Sequence, residues 1–256
     1  MRRRKKNFRP IKIDDADPAN IVVYSDDEEH TESPEMMQHL KLTHPFGWLL
    51  IGMTGSGKSM LALNILDNPK MYKNFFKVIY LFSRTSKADK TFDRLKIKQE
   101  NTFGGDDKSM IKALSKIIKK HTKEVESKGK KNADTVMIII EDATSLKKFM
   151  RSAPFAEAFV QSRHFNGSVM VNAHKYSAVD RIARLNAHFI SIFKTGNSEM
   201  DVVAEEYSPS NKKEFVAIMK EAFKPDSRNK KPFFQINRKS ADYPYRKTLD
   251  QGFDYR

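Results

Sequence analysis

Residues 47–59 read Gly-Trp-Leu-Leu-Ile-Gly-Met-Thr-Gly-Ser-Gly-Lys-Ser. An apolar run of strand length passes straight into Gly52-x-x-x-x-Gly57-Lys58-Ser59, and Met60, Leu61, Leu63, Ile65 and Leu66 then give a helix an apolar face until Asp67-Asn68-Pro69 stops it. Strand, glycine-rich turn and helix in that order spell a phosphate-binding loop, a far more specific signal than a glycine-rich turn alone. Its glycines allow the backbone to turn successive N–H groups toward phosphate oxygens, and the positive end of the helix adds to the attraction. The expected ligand is a nucleoside triphosphate with Mg²⁺, held along Gly52, Met53, Thr54, Gly55, Ser56, Gly57, Lys58, Ser59 and Met60. Lys58 is expected to reach the β- and γ-phosphates and the Ser59 hydroxyl to ligate the metal.

Working outward, 256 residues fit one α/β domain with tails, and 39% hydrophobic residues are enough for a sizeable core. The chain has no cysteine, which excludes disulfides and thiolate metal sites. Its longest apolar runs, around 48–51 and 136–140, are strand-sized, so no membrane insertion is expected. The basic start, Met1 to Pro10, is followed by no apolar stretch and is not a secretory signal, so the protein is expected to be soluble and not secreted.

Charge is uneven. Residues 1–45 hold 8 Lys/Arg and 9 Asp/Glu, leaving 39 and 23 for the remainder, an excess of +16. Such an excess favours nucleic acid as a partner, although a basic surface kept for solubility has the same composition. Residues 1–44 read as a disordered charged arm, with a basic cluster at 2–6 and an acidic run at 25–29. Residues 45–240 read as the ATPase domain and 241–256 as a C-terminal tail.

From residue 45 strands and helices alternate, the pattern of a mostly parallel sheet covered by helices on both faces. Strands are expected near 47–52, 77–83, 135–141, 168–173, 188–194 and 232–237. Helices are expected near 57–67, 109–127, 153–165, 177–184 and 198–222, the last broken around Pro209. Ile111, Leu114, Ile117 and Ile118 make 109–127 amphipathic, with a basic outer face that is either simply solvated or a DNA contact. The stretch holding Lys230, Lys231, Phe233, Phe234, Arg238 and Lys239 also reads two ways, as a basic aromatic DNA contact or as an edge strand flanked by solvated lysines.

Two further strand ends carry polar groups. Val136 to Ile140 is apolar and ends in Glu141-Asp142. In P-loop ATPases one carboxylate here serves the Mg²⁺ shell and a second orients the attacking water. Glu141 is assigned to the metal and Asp142 to the water, with an exchange of the two left open. Val169 to Val171 leads to Asn172-Ala173-His174, and the carboxyl ends of central parallel strands face bound ligand, which makes Asn172 and His174 candidates for sensing the γ-phosphate.

The run from Glu141-Asp142 through Gln161-Ser162-Arg163-His164-Phe165-Asn166, Val171-Asn172-Ala173-His174-Lys175-Tyr176 and Arg184-Leu185-Asn186 resembles the genome-packaging ATPases of double-stranded DNA viruses and virophages, within the FtsK-HerA class. The resemblance covers about residues 45–250, and it departs from the family where His174 stands at a usual Gln. It implies a P-loop NTPase fold in which the P-loop strand is central and an additional strand carries the catalytic carboxylate beside it. It also implies a homo-oligomeric ring that drives double-stranded DNA into a preformed capsid, a capsid vertex protein as a partner, and a place in the virion or in the cytoplasm or nucleus of an infected host cell. A second cation supplied by a neighbouring subunit follows as well, with Arg184, Arg163 and Arg181 as candidates in that order. The alternatives are a cellular DNA-pumping or helicase-like ATPase of the same class, a nucleotide-dependent switch, and a small-molecule kinase. A GTPase is disfavoured, because Asn211-Lys212-Lys213-Glu214 only approximates a guanine-reading motif and follows no apolar strand.

Overall fold

The computed structural model describes residues 31–84, 91–142, 145–227, 229–253 and 255; the charged clusters at 2–6 and 25–29 lie outside the described residues. In chain order the elements are α1 (Glu35–His39), β1 (Gly47–Ile51), α2 (Lys58–Asp67), β2 (Val78–Phe82), β3 (Thr102–Phe103), α3 (Asp107–Lys128), β4 (Val136–Ile140), α4 (Lys147–Met150) and α5 (Ala153–Val160). They continue with β5 (Gly167–Ala173), α6 (Arg181–Asn186), β6 (Phe189–Phe193), α7 (Asn197–Tyr207), α8 (Lys212–Ala222), β7 (Phe233–Asn237), β8 (Tyr245–Lys247) and β9 (Gln251–Gly252).

The described strands form one sheet in the order β3-β2-β4-β5-β1-β6-β7-β8-β9. From β3 to β6 neighbours run parallel, and β7, β8 and β9 add an antiparallel edge. The mostly parallel α/β sheet is thus as expected. One detail is corrected: the strand inserted beside β1 is β5, which bears Asn172, and the carboxylates follow β4, one strand further away. The register matches Ile140 to Val171 and Leu50 to Asn172, so the ends of β4, β5 and β1 lie level at one edge of the sheet.

The parallel strands are buried on both faces, which is why β1 and β4 are continuously apolar. Leu49 and Ile51 of β1 join a core with Leu114 of α3, Phe155 of α5, Ala183 of α6 and Phe215 of α8. Trp48 and Leu50, pointing the other way, pack with Met37 of α1 and Ala62 and Leu63 of α2. Among the described residues no helix is long and apolar enough to cross a membrane.

Both terminal boundaries move. Residues 35–42 do not belong to the expected arm, because α1 forms and both Met37 and Leu42 are wholly buried, each contributing roughly 1.5–3 kcal/mol. The tail after 240 is not a loose end but supplies β8 and β9. The two segments hold one another: Arg246 Nη1 donates to the Leu40 carbonyl at 2.8 Å, and Asn237 Nδ2 donates to those of Leu40 and Lys41, each at 3.1 Å. Elements this short carry too few apolar residues to show a period.

Two helices are shorter or shifted. Helix α5 stops at Val160, five residues before the expected end, and a turn in which His164 N donates to Gln161 O leads to Asn166 at φ 48°. The helix expected over 177–184 is a 3₁₀ turn at Tyr176–Ala178 followed by α6, which restarts because the Asp180 carboxylate accepts from Ile182 N at 2.8 Å. The break at Pro209 stands, and the Asn211 side chain caps α8 by accepting from Lys213 N at 3.0 Å.

Candidate active site

The carboxyl ends of β1, β4 and β5 converge on a cavity of about 300 Å³ lined by Thr54, Gly55, Lys58, Ser59, Glu141, Asp142, Asn172 and His174. Three larger cavities beside α1, about 400, 490 and 610 Å³, lack the P-loop and the paired carboxylates. Size therefore does not select the site; convergent chemistry does.

The P-loop owes its shape to its glycines. Gly55 at φ 75° and Gly57 at φ 112° hold left-handed conformations that a Cβ would strain, and Gly57 caps the start of α2. Helix α2 begins at the cavity, so the N–H groups of its first turn contribute a positive field there. Lys58 Nζ donates to the carbonyls of Gly52 at 2.7 Å and Met53 at 3.0 Å. Burial lowers the pKa of Lys58, and the nearby Glu141 and Asp142 carboxylates act against that shift.

Opposite the loop, Glu141 is buried and accepts from two side chains, Ser59 Oγ on one oxygen and Asn172 Nδ2 on the other. Asn172 Nδ2 also lies 3.4 Å from Ser59 Oγ. Asp142 follows with φ 49°, a conformation that turns the chain out of the strand, and its Oδ1 lies 3.1 Å from His174 Nε2. The two carboxylates are thereby separated in environment: Glu141 faces the P-loop serine, while Asp142 is about one third exposed beside His174. Among the described residues Asn172 Oδ1 and Ser56 Oγ are buried without a hydrogen-bond partner, which leaves polar capacity for a ligand.

A hydroxyl, a carboxylate and an amide oxygen make a hard oxygen set of the kind Mg²⁺ takes when phosphates and water supply its other ligands. Among the described residues no group of three or more His, Asp or Glu gathers to hold a metal by itself.

The arginines expected from a neighbouring subunit are not in the cavity. Arg184 is committed inside its own chain: its Nη2 lies 2.9 Å from Glu206 Oε1, its guanidinium stacks 4.8 Å from the Tyr176 ring centre, and the side chain is 11% exposed. Its expected role in trans does not fit that packing. Arg163 is exposed before β5, at the end of the strand away from Asn172, roughly 20 Å by strand rise. Arg181 is exposed at the start of α6.

The basic aromatic stretch near the C-terminus proves structural. Phe233 and Phe234 are buried in β7, Arg238 Nη1 donates to Ala187 O at 3.0 Å, and Lys239 Nζ donates to Thr43 O at 2.7 Å and Pro45 O at 2.8 Å. One member belongs to the site instead. Lys231 Nζ donates to the Gly55 carbonyl at 2.7 Å, a contact between residues 176 apart for which the linear sequence holds no signal.

Several solved structures share this fold. The genome packaging NTPase B204 from Sulfolobus turreted icosahedral virus 2, in complex with ATP-gammaS, is 16% identical with a TM-score of 0.50, over 75% of this chain and 92% of that one. The DNA-packaging ATPase B204 from Sulfolobus turreted icosahedral virus is 12% identical with a TM-score of 0.52, over the same shares. The type VII secretion ATPase EccC of Thermomonospora curvata is 13% identical with a TM-score of 0.51, over 82% of this chain and 24% of that one. At these identities the likeness is one of fold. No curated protein matches the chain by sequence. A family model described as Poxvirus A32 protein matches residues 35–240, which takes in α1 and every residue lining the cavity.

Proposed function

We propose that this chain, which belongs to the poxvirus A32 protein family, is an ATP-hydrolysing translocase that packages a viral double-stranded DNA genome into a preformed capsid. The observation that carries the reading is the single cavity in which Lys58, Ser59, Glu141, Asp142 and Asn172 meet at the ends of three adjacent strands. Support for packaging comes from the family and from a fold shared with proteins described as packaging ATPases.

In this reading the phosphates of ATP lie along the P-loop and Lys58 balances their charge. Ser59 and Glu141 would hold Mg²⁺, which when bound draws charge from the β- and γ-phosphates. Their mutual contact supports giving Glu141 the metal and Asp142 the water. Asp142 orients a water for in-line attack and accepts its proton; the new bond forms between the water oxygen and the γ-phosphorus as the bond to the β–γ bridging oxygen breaks, releasing ADP and phosphate. Asn172 and His174, which contact Glu141 and Asp142, sense the γ-phosphate.

The polymer moved is double-stranded DNA, consistent with the +16 excess over residues 46–256. The working assembly is a homo-oligomeric ring seated at a capsid vertex, in the infected cell or the virion. Steady-state ATPase assays with and without random-sequence duplex test the core of the reading. Turnover that rises with duplex and is lost in Lys58→Ala supports it; turnover indifferent to DNA points to a switch or a metabolite kinase.

A further inference from the structure

Helix α3 presents a surface with no role in the site. Lys108, Lys112, Lys116, Lys119, Lys120 and Lys123 are all exposed, and at 100° per residue they fall within one third of the helix circumference. The opposite face is buried through Met110, Leu114, Ile117, Ile118 and His121, so the stripe cannot turn inward. The stripe runs for about 22 Å along the helix axis.

None of the six lysines forms an ion pair among the described residues, whereas Lys128, beyond the stripe, pairs with Glu124 at 2.8 Å. Several lysines stand three or four apart, the spacing at which like charges destabilise a helix. A polyanion laid along the helix would remove that repulsion. Protein interfaces are depleted in lysine and have an apolar centre, yet no large apolar residue of α3 is exposed. Duplex DNA, with a phosphate about every 1.7 Å of its axis, offers the matching density of charge, and lysines without interleaved aromatics suit backbone contact rather than base reading.

The stripe is also tied to the ATPase site. In the first turn of α3, Asp107 accepts from Arg84 Nη2 at 2.8 Å and from the backbone N–H of Lys148 at 3.0 Å. Arg84 follows β2, and Lys148 lies in α4, shortly after Glu141-Asp142. These contacts join the first turn of α3 to the end of β2 and to α4.

We infer that the lysine face of α3 is the duplex-DNA contact of this protein, binding phosphates without regard to sequence; this rests on the packaging reading above. The test uses the full chain and its Lys112→Gln/Lys116→Gln/Lys119→Gln/Lys123→Gln variant, with fluorescence anisotropy on a random-sequence duplex between about 50 and 200 mM salt. Glutamine keeps helix propensity and relieves the like-charge repulsion, so basal ATPase should match the wild type and Tm should be no lower. DNA affinity should fall at least about tenfold, and the slope of log K against log salt should become shallower by about 3–4, near one per lysine removed. The four-fold Lys→Arg variant should bind as the wild type does, and single Lys116→Gln or Lys119→Gln changes should each shift the slope by about one. Unchanged affinity and slope in the Gln variant, with a wild type that binds, overturn the assignment of α3 and leave the packaging reading standing. Loss of binding to anionic lipid vesicles but not to DNA also overturns it. A wild type that neither binds duplex nor is stimulated by it overturns both.

Discussion

Lys231 Nζ donates to the carbonyl of Gly55 at 2.7 Å, bracing the outside of the P-loop from the segment that leads into β7. The lysine stem passes close to Gly57, where an added Cβ would meet Lys231 Cδ at 3.6 Å. The antiparallel edge of the sheet is thereby joined to the nucleotide site, and the contact acts on the shape of the loop rather than on the phosphate chemistry.

Lys231→Ala should therefore raise the KM for ATP about fivefold, the effect of one exposed charge-assisted hydrogen bond of roughly 1 kcal/mol, with kcat within about twofold. Lys231→Arg should recover most of the loss. Steady-state kinetics on the three proteins checks this, and a fall in kcat at constant KM would assign Lys231 to the transition state instead.

Asp142→Asn should keep ATP binding and lose hydrolysis by a factor of about 10²–10⁴, the usual contribution of a positioned base. Glu141→Gln should weaken the dependence on Mg²⁺, and Lys58→Ala should lose binding or turnover. Equilibrium nucleotide binding and single-turnover hydrolysis separate these outcomes. Near-normal turnover in Asp142→Asn would move the water-activating role to Glu141.

Arg184→Ala should destabilise the fold, because it strands Glu206 in a nearly dry setting and removes the stack on Tyr176. The cost expected is about 3 kcal/mol, a fall in Tm of roughly 6–12 °C at this chain length. Mixing Arg184→Ala with Lys58→Ala subunits should restore no ATPase activity, since Arg184 serves its own chain. Recovery in the mixture would return it to a role across an interface.

Acid should weaken the fold through His188. Its Nδ1 accepts the Gly47 N–H at 3.0 Å, and burial, reinforced by Lys239, Arg238 and Arg163, lowers its pKa to about 3. The unfolded chain takes up this proton near pH 6.5 and the folded chain refuses it until about pH 3, so stability is lost as pH falls below 6.5, by roughly 2 kcal/mol at pH 5. His188→Asn, which can still accept from Gly47, should flatten the fall in Tm between pH 6.5 and 5. A variant whose Tm follows the wild type through that window would assign the acid sensitivity elsewhere.

The strand, loop and helix of residues 47–67, the parallel α/β order, and the polar ends at Glu141, Asp142, Asn172 and His174 were all legible in the linear chain. Those signals are local: a phosphate loop needs its glycines, lysine and serine at set spacing, and a strand buried on both faces must be apolar until it leaves the sheet. Folding was needed to reveal which strand sits beside β1, that Arg184 is held by Glu206, that the C-terminal phenylalanines are core, and that Lys231 reaches Gly55. Each depends on partners far apart in the chain. A basic or aromatic residue read in one dimension carries its chemistry but not its neighbour, and packing around the sheet is what selects that neighbour.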